Sequence, residues 1–208
     1  MKLKVCGLTD LSQIEILTDL GVDFLGFIFY EKSPRFVLNH LSLKEINNIS
    51  HRGKVGVFVN ENIDDVVKIS EEAGLNFIQL HGDENSKYIE ELREKINPGT
   101  KIIQVYRISD FAPKIETENI DYLLFDTDSK AFGGTGKSFD WKIINQLNLE
   151  KPYLLSGGVS TENYNDIKIL SLKPFALDIN SKFEIKPGMK DLQKIKQFVT
   201  ENIKNYEL

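Results

Sequence analysis

The sequence contains one cysteine, Cys6, and it stands two residues after a lysine, Lys4. In a strand, residues two apart point to the same side, so the Lys4 ammonium would lie roughly 7 Å from the sulfur, two strand rises away. A cation there favours thiolate over thiol and makes Cys6 a candidate base or nucleophile. The plain alternatives are a small buried apolar residue for Cys6 and an interior ion pair, for example with Asp178, for Lys4. Asp126 directly follows the apolar run Leu123-Leu124-Phe125, with Asp128 two residues on. Desolvation at the end of a buried run raises a carboxyl's pKa and suits Asp126 to donating a proton. A base and an acid of these types are the requirements of proton-transfer chemistry.

Two glycine-rich segments are candidates for holding an anion. The first is Ala131-Phe132-Gly133-Gly134-Thr135-Gly136-Lys137, in which Gly133 and Gly134 permit close approach of a ligand; it lacks the spacing of a nucleotide-binding loop. The second is Leu155-Ser156-Gly157-Gly158-Val159, where Ser156, Gly157 and Gly158 would offer bare N–H groups beside a helix beginning in Ser160-Thr161-Glu162-Asn163. Asn180 and Ser181 could complete a phosphate cup, and Asp178 could take a ligand hydroxyl or balance Lys4. Arg35, in Ser33-Pro34-Arg35, is suited to gripping a carboxylate through two nitrogens. His81 lies in Gln79-Leu80-His81-Gly82. Neither it nor Cys6 has a partner at metal-ligand spacing, so no metal is expected. No dinucleotide fingerprint is present and no cofactor is expected.

Short apolar β-rich runs position these residues. They occur near Leu3–Cys6, Phe24–Phe29, Lys54–Val59, Phe77–Leu80, Lys101–Tyr106, Tyr122–Phe125, Tyr153–Leu155 and Phe175–Ile179, and most lack the alternation of a half-exposed strand. Helical stripes lie between them: Leu11, Ile14, Leu17 and Leu20; Ile63, Val66, Val67, Ser70 and Ala73; and Leu192, Ile195, Phe198, Val199 and Ile203. Asp10 and Asn60 are candidate N-caps, and Gly21 and Gly74 candidate left-handed caps. Two joints match in pattern, Gly21-Val22-Asp23-Phe24 and Gly74-Leu75-Asn76-Phe77. Eight strand–helix units in strict alternation predict an α/β fold, a parallel eight-stranded (β/α)8 TIM barrel forming one domain over residues 1–208. In such a barrel the chemistry belongs to the C-terminal rim, where Cys6, His81, Asp126, Ser156 and Asn180 would all lie.

The 208 residues are 41% hydrophobic and 27% charged, as in a globular chain. A net charge of -5 argues against nucleic acid and requires local donors for any anionic substrate. No apolar run is long enough for a membrane span, and the opening residues lack a signal-peptide core, so a cytoplasmic protein, monomer or homodimer, is expected. A lone cysteine fits a reducing compartment.

Taken in order, several segments resemble phosphoribosylanthranilate isomerases. They are Lys4-Val5-Cys6-Gly7-Leu8-Thr9, Gly26-Phe27-Ile28-Phe29-Tyr30 with Ser33-Pro34-Arg35, Val55-Gly56-Val57-Phe58-Val59-Asn60, Gln79-Leu80-His81-Gly82, Phe125-Asp126-Thr127, Gly133-Gly134-Thr135-Gly136, Leu155-Ser156-Gly157-Gly158 and Pro187-Gly188-Met189-Lys190-Asp191. The resemblance implies an Amadori rearrangement of a small phosphorylated substrate, N-(5-phosphoribosyl)anthranilate, in tryptophan biosynthesis. It implies Cys6 as general base, Asp126 as general acid, Arg35 on the anthranilate carboxylate, and the loops after strands seven and eight on the phosphate. One departure is Asn180-Ser181-Lys182, where the family usually has serine-serine-glycine. The rival readings are the histidine-pathway aminoimidazole carboxamide ribonucleotide isomerase, expected to carry an aspartate in place of Cys6, and a non-catalytic phosphate-binding barrel. Indole-glycerol-phosphate synthase would need a catalytic lysine that finds no position here.

Overall fold

The structure is a computed structural model, and it describes residues 1–127 and 139–203. Eight parallel strands close on themselves in sequence order: β1 (Lys2–Val5), β2 (Phe24–Ile28), β3 (Lys54–Phe58), β4 (Phe77–Leu80), β5 (Lys101–Ile108), β6 (Tyr122–Thr127), β7 (Tyr153–Leu155) and β8 (Ala176–Ile179). The closing pair is β1 with β8, and Lys4 lies opposite Asp178. Closure leaves no sheet edge and covers both faces of every strand, hence the continuous apolar runs.

Two apolar layers follow from this. Phe24, Val55, Ile103, Val105, Leu124, Leu154 and Ala176 form a cluster of their own, which fills the barrel. The larger cluster includes the stripe residues Ile14, Leu17, Val66, Ile195 and Phe198, which join the helices to the outer face of the strands. At one end of the barrel Phe24 packs edge-on to Phe77, Tyr122 stacks obliquely on Phe175, and the Lys2 ammonium lies 4.7 Å from the Phe175 ring centre.

The helices are α1 (Leu11–Asp19), α2 (Leu43–Asn48), α3 (Ile63–Glu72), α4 (Ser86–Lys95) and α5 (Leu192–Phe198). Strict alternation does not hold. Among the described residues no α-helix follows β5, whose successor segment runs as loop to β6, and single 3-10 segments, Trp141–Gln146 and Tyr164–Ile169, follow β6 and β7. Residues 109–121 offer no apolar stripe of helical period, and Pro113 interrupts them. The expected N-cap Asp10 accepts from the Gln13 N–H, but α3 is capped by Asn62 rather than Asn60. Asn60 instead takes a positive φ of 51° and accepts a hydrogen bond from the Asp83 N–H.

The repeated joint has a structural purpose. Asp23, just ahead of β2, accepts from the Leu3 N–H on β1, and Asn76, just ahead of β4, accepts from the Lys54 N–H on β3. A third copy, Asn119-Ile120-Asp121-Tyr122, does the same for the Ile102 N–H on β5. Asn119 replaces the glycine there and holds a φ of 60°, beside 81° at Gly21 and 60° at Gly74.

Lys54 joins the outer layer. Its buried ammonium donates to the carbonyls of Ile46 and Asn47 at the end of α2, both at 3.1 Å, and to that of Ala73 at the end of α3 at 3.2 Å. A cation at two helix C-termini complements both dipoles and adds a donor to carbonyls of their last turns. Lys54→Met is expected to cost about 2–3 kcal/mol and to lower the melting temperature by roughly 4–10 °C. A circular-dichroism melt checks this, and an unchanged midpoint would contradict the role.

Candidate active site

The strand register determines what meets at the rim. Cys6 follows the last residue of β1, is buried, and donates its backbone N–H to Ile179 on β8. Gly26 on β2 lets the sulfur sit there, because a side chain at that position would begin 2.9 Å from Sγ. Below Cys6, Lys4 is completely buried and donates to Asp178 Oδ1 at 2.9 Å. The sequence left Lys4 either supporting a thiolate or pairing with Asp178, and both relations are present. Burial works against a charged Lys4, but the Asp178 carboxylate and then the Cys6 sulfur outweigh it and hold the ammonium above the ordinary lysine range. Burial pushes the Asp178 carboxyl up against the pull of Lys4; the 2.9 Å contact is ion-pair geometry, and we take the pair as charged. Burial also pushes the Cys6 thiol up, and the pull of Lys4 towards thiolate does not fully offset it. With these protein groups alone acting on it, Cys6 is therefore chiefly a thiol at neutral pH.

Across the barrel Asp126 is buried within β6, and its Oδ1 accepts from the Thr127 N–H at 2.7 Å. His81 Nε2 lies 3.3 Å from Asp126 Oδ2, within ion-pair distance but without hydrogen-bond alignment. The other ring nitrogen meets Gln79 Nε2 at 2.9 Å, so the amide as assigned donates to Nδ1 and leaves the ring proton on Nε2, facing the carboxylate. Buried Glu84 fixes this corner by accepting from the Asn60 and Gly82 N–H groups at 2.7 and 2.9 Å, joining the loops after β3 and β4. His81 Nε2 and Gln79 Oε1 are buried without hydrogen-bond partners among the described residues, which marks the corner as set for a polar ligand. Asp178 lies within electrostatic reach of Asp126 and His81 as well as of Lys4.

The loop after β7 turns through Gly157 and Gly158, with φ of 76° and 85°. Their N–H groups make no hydrogen bond among the described residues, whereas the Ser156 N–H is taken by the Phe125 carbonyl. The helix expected from Ser160 is a 3-10 turn beginning at Tyr164, and Asn163 instead ties the loop, accepting from the Ser160 N–H and donating to the Gly158 carbonyl. Any anion here would be held by loop N–H groups more than by a helix dipole. Ser181 and Lys182 enter a 3-10 turn ending at Phe183, and neither has a positive φ. The missing family glycine at Lys182 thus imposes no backbone strain. Gly133 and Gly134 lie outside the described residues, as does Asp128.

Arg35 already grips a carboxylate within the protein. Its Nε lies 2.9 and 3.0 Å from the two carboxylate oxygens of Glu184, and its Nη2 donates to Oε2 at 2.6 Å. Nη1 makes no hydrogen bond among the described residues, so one edge of the guanidinium remains open. Glu184 belongs to β9 (Glu184–Lys186), which forms a hairpin with β10 (Met189–Lys190). Neither Glu184 nor Lys190 was singled out from residue type or spacing; Lys190 entered only within a matched motif. No group of three or more His, Cys, Asp or Glu among the described residues is arranged to hold a metal ion.

Comparison with known proteins agrees with this architecture. Residues 3–201 match the family model described as N-(5'phosphoribosyl)anthranilate (PRA) isomerase. The N-(5'-phosphoribosyl)anthranilate isomerase of Parabacteroides distasonis is 38% identical over 96% of this chain and 92% of its own length. The crystal structure of phosphoribosyl anthranilate isomerase from Thermotoga maritima superposes with a TM-score of 0.80 at 30% identity, covering 98% of this chain and 99% of that one. Another, in complex with reduced 1-(o-carboxyphenylamino)-1-deoxyribulose 5-phosphate, gives a TM-score of 0.75 at 28% identity over 98% and 99%. With its closed parallel barrel and rim in view, the chain belongs to the N-(5'-phosphoribosyl)anthranilate isomerases, an isomerase family of tryptophan biosynthesis.

Proposed function

We propose that this chain converts N-(5'-phosphoribosyl)anthranilate to 1-(o-carboxyphenylamino)-1-deoxyribulose 5-phosphate, with Asp126 as general acid and Cys6 as general base. The observation that carries the reading is the placement of a buried thiol and a buried carboxyl on opposite walls of one rim, linked through the Lys4–Asp178 pair. Asp126 gives its proton to the ribose ring oxygen. The bond from that oxygen to C1 breaks as the amine lone pair forms a C1–N iminium. Cys6 then takes the proton from C2; the C–H electrons become the C1–C2 double bond and the iminium electrons return to nitrogen. The resulting enolamine tautomerises to the ketone when the 2-hydroxyl loses its proton and C1 gains one.

The raised thiol pKa does not oppose this. The iminium forms next to Cys6 and adds a positive charge that draws the thiol towards thiolate, while acidifying the C2 proton. Asp126 is left negative after its first transfer, and the His81 ring facing it can donate to that charge. The Gly157 and Gly158 N–H groups hold the phosphate, and the open edge of Arg35 takes the anthranilate carboxylate.

Titration calorimetry with the reduced product named above, the ligand bound to the relative, tests the binding half. Saturable binding by this chain is expected, weakened by Arg35→Met. No binding by the folded wild type would remove the substrate assignment.

A further inference from the structure

The mechanism leaves unused a buried cation beside Cys6. Lys190 ends the β9–β10 hairpin and is 1% exposed. Its ammonium donates to Asn180 Oδ1 at 2.8 Å and to Glu184 Oε1 at 2.6 Å, and its third proton makes no hydrogen bond among the described residues. Its backbone is fixed to α1, since the Lys190 N–H donates to Gln13 Oε1 at 2.9 Å and its carbonyl accepts from Gln13 Nε2 at 3.0 Å. Glu184 therefore serves two cations, Lys190 and Arg35; burial pulls the Lys190 ammonium below the ordinary lysine range against the hold of Glu184, and with both cations charged the three groups sum to one positive charge. The cluster packs on the Cys6–Gly7 peptide: a Cβ at Gly7 would lie 2.6 Å from Arg35 Cδ and 2.9 Å from Asn180 Oδ1.

Burying a cation that is not fully balanced is costly unless something nearby needs it. The nearby candidate is the sulfur. Lys4 faces Cys6 from β1, but Asp178 on β8 balances it directly, so that pair brings no net charge. Asp126 and His81 stand beyond Asp178. From the hairpin side the groups are Lys190 on β10, Glu184 on β9 and Arg35 in the loop after β2, and there the sum is positive.

We propose that Lys190 is a positioning residue for the base: it supplies the unbalanced charge of the Lys190–Glu184–Arg35 cluster and so stabilises the Cys6 thiolate. The proposal rests on Cys6 being the base of the reaction above. Charge between Lys190 and Cys6 works in this direction, drawing the thiol down against its burial.

The test needs no substrate, so it stands apart from the fate of the isomerase reading. Cys6 is the only cysteine, and thiolate absorbance in the ultraviolet, taken as the difference from the matching Cys6→Ala protein, gives its titration midpoint. Lys190→Met is expected to raise that midpoint by about 1 pH unit. Adding Glu184→Gln restores the net charge of the cluster and should return the midpoint to the wild-type value. A packing role would not be rescued by the second substitution. Lys190→Gln, which keeps a donor for Glu184 and Asn180, covers the case where the methionine variant does not fold, and the same rise is expected. A midpoint unmoved in the folded single variant, or raised and not restored in the double, overturns the proposal.

Discussion

Cys6→Ala is expected to reduce kcat by about 10²–10⁴-fold, the range for removing a positioned general base, with KM changed little. The side chain is buried and small, so its loss should leave the barrel folded. The step it removes is proton transfer from C2, which neither Lys4, paired with Asp178, nor Lys190, paired with Glu184, can take over. Initial rates over a range of substrate concentrations check this, and an unchanged kcat in the folded variant would remove Cys6 as the base.

Asp126→Asn is the second large effect, again about 10²–10⁴-fold in kcat. Asparagine keeps the shape and can still accept from the Thr127 N–H, so the β6 terminus should hold. It has no acidic proton to give to the ring oxygen, and ring opening should become limiting. Single-turnover kinetics at saturating substrate separate this from binding. A variant with normal kcat and raised KM would reduce Asp126 to a substrate contact.

The strands were legible because closure buries both their faces, and the eight apolar runs agree with the observed strands to within about two residues at each end. Period could not reveal where the shell is irregular. The segment after β5 was expected to be helical only by extrapolating the alternation. The third strand-joining motif escaped notice because Asn119 takes the backbone position that glycine marks in the other two copies. Asn60 and Asn62 are equally good caps by type, and only the stitching of Asn60 to Asp83 separates them.

At the site, Cys6, Lys4, Asp126 and Asp178 could be read from their places at strand ends. Glu184 and Lys190 could not. A glutamate and a lysine six residues apart in a polar stretch look like solvated surface, and only the hairpin turning back over Arg35 buries them. The same fold hides the Arg35 partner from the sequence: the glutamate that orients it lies 149 residues away.

The central claim is tested most directly by following the fluorescence of freshly prepared N-(5'-phosphoribosyl)anthranilate with the wild-type protein, with Cys6→Ala and Asp126→Asn run alongside. The account predicts rapid decay with the wild type and decay near the spontaneous rate with either variant. A folded wild-type protein that fails to exceed the spontaneous rate would contradict it.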